Sequence, residues 1–280
     1  MSSSLASNTE SIDGQAPKTR RRPSESTEKW LWRGGTGLVV VALLVVWELL
    51  PRLGLVNEII LPPASEVLTA IGTLLTSETF PEHFKVTLWE MLLGFVIGTI
   101  IGLVSGIALG VSRALYKLTY PLVVAFQSIP KIVLAPLLIT WFGYGMSSKV
   151  AMAVIISFFP VLINTIVGLE SVQEAPLKLM RSLRASRWQI FYKLSLPTAA
   201  PMIFAGVKTA LTFAVIGAIV AEFIGASQGL GYLLNVYSFQ LRIDMVFAVI
   251  VVLSAMGSVL YFLIDWLDRR LIFWRSDSVR

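Results

Sequence analysis

Apolar residues in this chain gather in long runs, separated by polar stretches that hold nearly all of the charge. A helix that crosses about 30 Å of hydrocarbon at about 1.5 Å per residue needs about 20 apolar positions. Runs of that order occur near 32–50, 87–111, 118–142, 150–169, 201–224 and 245–267. Each predicts a membrane-spanning helix, because lipid offers the backbone no partners and a helix satisfies its own N–H and C=O groups. Pro121, Pro130 and Pro136 interrupt the third run, and Lys208 and Glu222 lie in the fifth. Proline is tolerated in a span whose neighbours satisfy the freed carbonyls.

Two stretches outside the runs have patterns of their own. In 57–86, Ser65 followed by leucines and isoleucines at helical spacing predicts a capped amphipathic helix lying on the outer surface rather than a seventh span. Residues 1–29 are rich in Ser, Thr, Pro, Glu and Arg and cannot bury enough surface to fold. They predict a disordered cytoplasmic tail, with 30–280 as the transmembrane domain. Arg20, Arg21 and Arg22 ahead of an apolar run resemble a secretory leader, but the long polar lead and the lack of a small-residue cleavage site predict a retained first span.

Composition changes the picture only by exclusion. A hydrophobic content of 55%, a charged content of 14% and a mean hydropathy of +0.76 do not suit a soluble domain of 280 residues. The net charge of +6 is dispersed between apolar runs, without the aromatic interleaving of a nucleic-acid groove. Its distribution reads as a topology signal. Basic residues crowd 18–33, 113–117, 178–193 and 269–280, whereas the alternate loops hold only Arg52, Lys85, Lys149 and Arg242. Basic loops stay inside, so both termini are expected to be cytoplasmic, with an even number of spans. The absence of cysteine and the single histidine, His83, argue against thiolate, redox or histidine-based metal chemistry.

Gly94, Gly98, Gly102, Gly106 and Gly110 recur every fourth residue through the second span. Such a stripe winds slowly around the helix and suits either close packing on a neighbour or the lining of a conduit. Residues 170–197, ESVQEAPLKLMRSLRASRWQIFYKLSLP, mix basic and apolar positions between the fourth and fifth spans. They predict one or two short amphipathic helices ended by Pro197, serving either as a basic surface for anionic lipid or as a docking element for a cytoplasmic partner.

RSLRASRWQIFYKLSLPTAAPMIFAG resembles the coupling motif of binding-protein-dependent ABC permeases, whose pattern is E-A-A-x3-G-x9-I-x-L-P. Aligned on Leu196 and Pro197, the isoleucine position falls on Leu194, the glycine position on Arg184 and the E-A-A positions on Lys178, Leu179 and Met180. Only the second half matches well, since Glu174 and Ala175 are out of register. A glycine would permit positive φ between two helices. Arg184 is expected instead to sit in a continuous helix or to contact the ATPase. LPPASEV, LLGFVIGTIIGLVSGIALGVS, SIPKIVLAPLLITWFGYG, FFPVLINTIVGL and AEFIGASQGLGYLL extend the resemblance from about Leu61 to Trp274. They are similar to the branch that serves nitrate, sulfonate, taurine, thiamine-pyrimidine and riboflavin importers.

The resemblance implies an all-α membrane protein, the six-helix transmembrane domain of a type I ABC importer. It also implies two permease copies, two ATP-binding subunits and an external solute-binding protein. The ATPase-coupling residues would be Met180, Arg181, Ser182, Leu183, Arg184, Ala185, Ser186, Leu194, Leu196 and Pro197. ATP and Mg would be used by the partner ATPase and no cofactor by this chain, which lacks a G-x-x-x-x-G-K-[ST] loop; GYGMSSK at 143–149 has no glycine before its lysine. The SIPKIVLAP and AEFIGASQGLG forms are more similar to vitamin-type members, which import riboflavin or a thiamine pyrimidine precursor, than to nitrate, taurine or sulfonate permeases.

Polar residues at membrane depth are costly and point to function. Lys131, with Gln127 one turn earlier, is placed to attract an anionic or hydrogen-bonding solute, to snorkel, or to pair with an acidic neighbour. Asn164 would face the same path or bond to another helix. Glu222 would fix the GASQGLG loop or gate the outer mouth. Lys208 is expected to snorkel, and Asp265 and Asp268 to pair with Arg269 or Arg270. Two other classes are weaker. A membrane enzyme would need a carboxylate pair or a nucleophile with a base, and an ion-coupled secondary transporter would show paired repeats and deep acidic residues.

Overall fold

The structure is a computed structural model that describes residues 25–272, and every regular element among them is helical. The chain divides into two units between Leu49 and Leu50. The first is dominated by α1, Glu25–Arg52, whose apolar part Gly35–Arg52 is long enough to cross a bilayer. Residues 1–24 of the expected tail lie outside the described residues, and helix begins at Glu25.

The second unit contains α2 (Ala64–Thr76), α3 (Phe80–Val111), α4 (Arg113–Ser128), α5 (Ala135–Phe142), α6 (Met146–Glu170) and α7 (Glu174–Ser182), followed by α8 (Arg187–Ile190), α9 (Leu196–Gly225), α10 (Leu230–Phe239) and α11 (Ile243–Leu271). Helix α6 packs along both α3 and α9 and forms the middle of this unit. The glycine stripe explains how α3 comes so close. Gly94, Gly98, Gly102, Gly106 and Gly110 lie against Ala153, Ser157, Val161, Thr165 and Leu169, which recur at the same four-residue interval on α6. Ser157 Oγ donates across the seam to the Gly94 carbonyl at 3.3 Å. The stripe is therefore a packing surface. Helix α9 approaches α6 in the same way, with Gly206 against Pro160 and Asn164 and Gly217 against Met152 and Ala153. Between apolar helices in lipid, close van der Waals packing of small residues replaces the hydrophobic drive.

Among the described residues, five continuous helical stretches are long and apolar enough to span a membrane: Gly35–Arg52, Phe80–Val111, Met146–Glu170, Arg187–Gly225 and Ile243–Leu271. The expected third span is not a straight helix. Ala114–Ser128 and Lys131–Phe142 meet at 84°. Pro130 lacks an N–H and drives Ile129 before it into an extended conformation, φ −69° and ψ 128°, which ends α4. A 3₁₀ turn, Lys131–Leu134, then restarts the chain into α5.

Two further expectations are corrected. Ser65 does not cap α2: Pro63 occupies that position, and the Ser65 hydroxyl accepts from Arg52 Nη2 at 3.1 Å. The apolar face of α2, Val67, Ala70 and Leu74, is buried and the helix packs on α11. Pro197 does not end a helix. A π-helical turn, Phe191–Ser195, runs directly into α9, and Pro197 follows it inside the continuous stretch Arg187–Gly225.

Candidate translocation path and coupling surface

Where the broken span meets α6 and α9, a cavity of about 280 Å³ opens. Gln127 and Lys131 come from the bend, Phe159 and Asn164 from α6, and Thr209 and Phe213 from α9. Three of the four residues expected on a solute path thus share one wall. The bend accounts for the lysine's position. With α4 ended, the Gln127 carbonyl has lost its helical partner, and Lys131 Nζ donates to it at 3.0 Å while lying 4.8 Å from the centre of the Phe159 ring. Lys131 therefore forms no ion pair among the described residues. Asn164 Nδ2 donates at 2.8 Å to the Pro160 carbonyl of its own helix, so the expected bond to another helix is not formed.

Glu222 lies elsewhere, buried at one end of the bundle under the α9–α10 loop. Its Oε1 accepts from Thr87 Oγ1 at 2.7 Å and its Oε2 from the Gly231 N–H at 2.6 Å. Thr87 Oγ1 in turn accepts from the Leu230 N–H at 2.7 Å, and His83 Nδ1 from the Gly229 N–H at 3.0 Å. Gly229 has φ 112°, and a Cβ there would strike the Glu222 carboxyl, so glycine is required on both counts. Glu222 fixes the loop. Beside it lie two charged residues that sequence reasoning passed over, Glu90 and Lys149, only 3% and 1% exposed. The Glu90 carboxyl faces that of Glu222 and the Lys149 ammonium, and its Oε2 is buried without a hydrogen-bond partner among the described residues. Lys149 Nζ donates to the Tyr144 carbonyl and, at 2.7 Å, to that of Gly225, joining the starts and ends of two packed helices. Lys149 counts as a loop charge by hydropathy, and Glu90 sits just inside an apolar run. The available signal was Glu90 at a four-residue step from Gly94 on the packed face of α3.

The 170–197 segment forms two short helices with a sharp turn between them. Arg184 has φ 55°, the left-handed conformation that the family pattern gives to glycine. The Arg184 N–H donates to the Arg181 carbonyl at 2.9 Å and the Ala185 N–H to that of Met180 at 3.0 Å, the paired bonds of a left-handed helix cap. The continuous helix expected through Arg184 is thus excluded. Ser186 then starts α8 with reciprocal bonds, its Oγ accepting from the Gln189 N–H at 3.2 Å and its N–H donating to Gln189 Oε1 at 2.8 Å. Leu179, Leu183 and Trp188 are exposed around this turn. Met180 to Ser186 make the turn itself. Leu194, Leu196 and Pro197 lie on the stem leading into α9, with Leu196 packed toward Leu169 and Ala199.

Residues 94–273 match the family described as the binding-protein-dependent transport system inner membrane component. The chain belongs to this permease family. A riboflavin transport system permease of Chloroflexus aurantiacus is 36% identical over 93% of this chain and 98% of its own length. A formylaminopyrimidine transport permease of Halalkalibacterium halodurans is 35% identical over 86% of this chain and 96% of its own. The fold is similar to that of a chain of the MetNI methionine ABC transporter in inward facing conformations, with a TM-score of 0.58 at 21% identity, over 70% of this chain and 98% of that one.

The permease is thus an integral inner-membrane protein and the translocation subunit of an ABC importer for small solutes, without enzymatic activity of its own. The family implies an ATPase and a binding-protein partner. One ionic expectation needs correction. Lys208 does not snorkel: its Nζ bridges Asp265 Oδ1 at 2.6 Å and Asp268 Oδ2 at 2.5 Å, pinning α9 to α11. Arg269 adds to Asp265 at 2.8 Å. An L-residue in the left-handed region costs about 1 kcal/mol. Arg184→Gly is therefore expected to leave the permease's melting temperature and ATPase coupling intact or improved, whereas Arg184→Val, branched at Cβ, is expected to weaken both. Thermal melts and substrate-stimulated ATPase assays of the assembled transporter check this, and equal behaviour of the two variants would contradict it.

Proposed function

We propose that two copies of this permease form a central path through which an external binding protein delivers its solute. In this reading two ATP-binding subunits dock on the 170–197 segments and hydrolyse ATP with Mg. The exposed turn Met180–Ser186 carries the reading, because it presents Leu183 and Arg184 outward on a capped, rigid element rooted in α9 through Leu194, Leu196 and Pro197. Closure of the ATPase pair would push on that turn, and the packed α3–α6–α9 block would respond as a rigid body. The solute would pass the wall formed by Gln127, Lys131 and Asn164. Both termini would be cytoplasmic, which places the Glu222 cluster at the outer end.

The cargo favoured by this reading is a vitamin-type heterocycle such as riboflavin or a thiamine pyrimidine precursor. The riboflavin and formylaminopyrimidine permeases, at 36% and 35% identity, support it. Nitrate, taurine or aliphatic sulfonates form the alternative, and an ion-coupled secondary transporter the remote one. Reconstitution of the permease with its ATPase and binding protein in liposomes tests the proposal. Uptake of the binding protein's ligand is expected to require ATP and to vanish with an ATPase that cannot hydrolyse it; uptake that survives would overturn the reading.

A further inference from the structure

The Lys131 cavity carries a statement about charge. Its other walls are amide, hydroxyl and apolar: Gln127, Asn164 and Thr209 supply the polar atoms, Phe159 and Phe213 the rings, and no carboxylate lines it. Lys131 is the one charged group among the lining residues. An ammonium has three donors. One is spent on the Gln127 carbonyl, and the π-face of Phe159 is a weak and partial counter-charge. Every ion pair found for a lysine in the second unit lies elsewhere, at Lys178 and Lys208. The bend holds the ammonium in place, because the carbonyl that Lys131 caps is freed by Pro130 and the chain cannot swing away without losing that bond.

We propose that this cavity is a selectivity site: it takes the anionic or carbonyl-rich edge of a passing solute and disfavours cations. The inference rests on the proposed path, which routes solute along Gln127, Lys131 and Asn164. In a site walled largely by apolar protein groups, a fixed positive charge a few ångströms away acts through a dielectric below that of water and discriminates between signs. The volume of about 280 Å³ admits a head group or a single ring rather than a large molecule whole. The site therefore reads one edge of the cargo and leaves the rest to the binding protein.

Because the chain contains no cysteine, single thiols can be introduced without removing any. Thr209→Cys on the rim, in the complete transporter with ATPase and binding protein, is treated with two thiol reagents of similar size, the anionic sulfonatoethyl and the cationic trimethylammonioethyl methanethiosulfonates. Rates are normalised to those with a free thiol in solution. The anionic reagent is expected to win by about tenfold, the preference to disappear in Thr209→Cys with Lys131→Gln, and to persist with Lys131→Arg. Equal normalised rates, or a preference that survives Lys131→Gln, would overturn the selectivity site while leaving the path in place. No modification by either reagent during ATP-driven uptake would mean that the cavity is off the water-accessible path, which overturns both.

Discussion

Lys149→Met is expected to lower the melting temperature of the permease on the order of 10 °C, the largest effect of any single side chain outside the glycine seam. The lysine is 1% exposed, and its ammonium holds the carbonyls of Tyr144 and Gly225 while facing the carboxyl groups of Glu90 and Glu222. Methionine fills similar volume but leaves the partly buried carbonyls of Tyr144 and Gly225 without this donor and the buried carboxyl groups of Glu90 and Glu222 without their cation. Breaking a buried charge arrangement by removing one partner costs about 3–5 kcal/mol, most of it the penalty for the groups left behind. That attribution is checkable. Adding Glu222→Gln removes negative charge and retains an acceptor for the Gly231 N–H, so the double variant should be more stable than the sum of the two single losses predicts. Strict additivity in thermal unfolding of the detergent-solubilised protein would show that Lys149 and Glu222 do not act as a unit.

The second large effect is expected at the α3–α6 seam. A Cβ on Gly102 would come within 2.8 Å of the Phe158 carbonyl oxygen and 2.9 Å of Val161 Cβ. The first of these is backbone, so no rotamer change relieves it, and the helices must separate. Overpacking of this kind costs about 1–3 kcal/mol for a single added group. Gly102→Ala should therefore reduce stability by that amount, and Gly102→Leu should abolish recovery of a monodisperse permease in gel filtration. Gly72 in α2 provides the contrast. Nothing lies within 4 Å of a Cβ built there, and alanine at this helical position should stabilise by about 0.5–1 kcal/mol. If Gly72→Ala and Gly102→Ala behaved alike, the seam would not be the close contact described.

These positions also separate what could be read from the chain order and what could not. The glycine period in α3 was visible, but whether it packed or lined a conduit depended on the matching period Ala153, Ser157, Val161, Thr165 and Leu169 in α6. Gln127, Lys131 and Asn164 were legible as polar residues in apolar runs, and they share one cavity. Lys149, Glu90 and Thr87 were not. Each lies near a run's end, where polar residues are usual, and their significance arises from contacts such as Thr87 with Glu222 that join positions 135 apart. Lys208 was misread for the same reason, since Asp265 and Asp268 reach it from another helix.

The sequence alone determined the number and approximate limits of the apolar elements, because a backbone in lipid must satisfy itself within one helix and the length of an apolar run is therefore a direct record of the span. It also determined the family, through motifs that need no partner to be recognised. Tertiary structure decided everything that depends on a second segment. It turned the third run through 84° at Pro130, put Arg184 in a left-handed turn and buried Lys149 between two carboxyl groups and two carbonyls. The reason is physical: hydropathy and periodicity measure the cost of placing one segment in lipid, whereas a buried charge or a strained φ is tolerated only for what surrounds it, and those surroundings come from other helices.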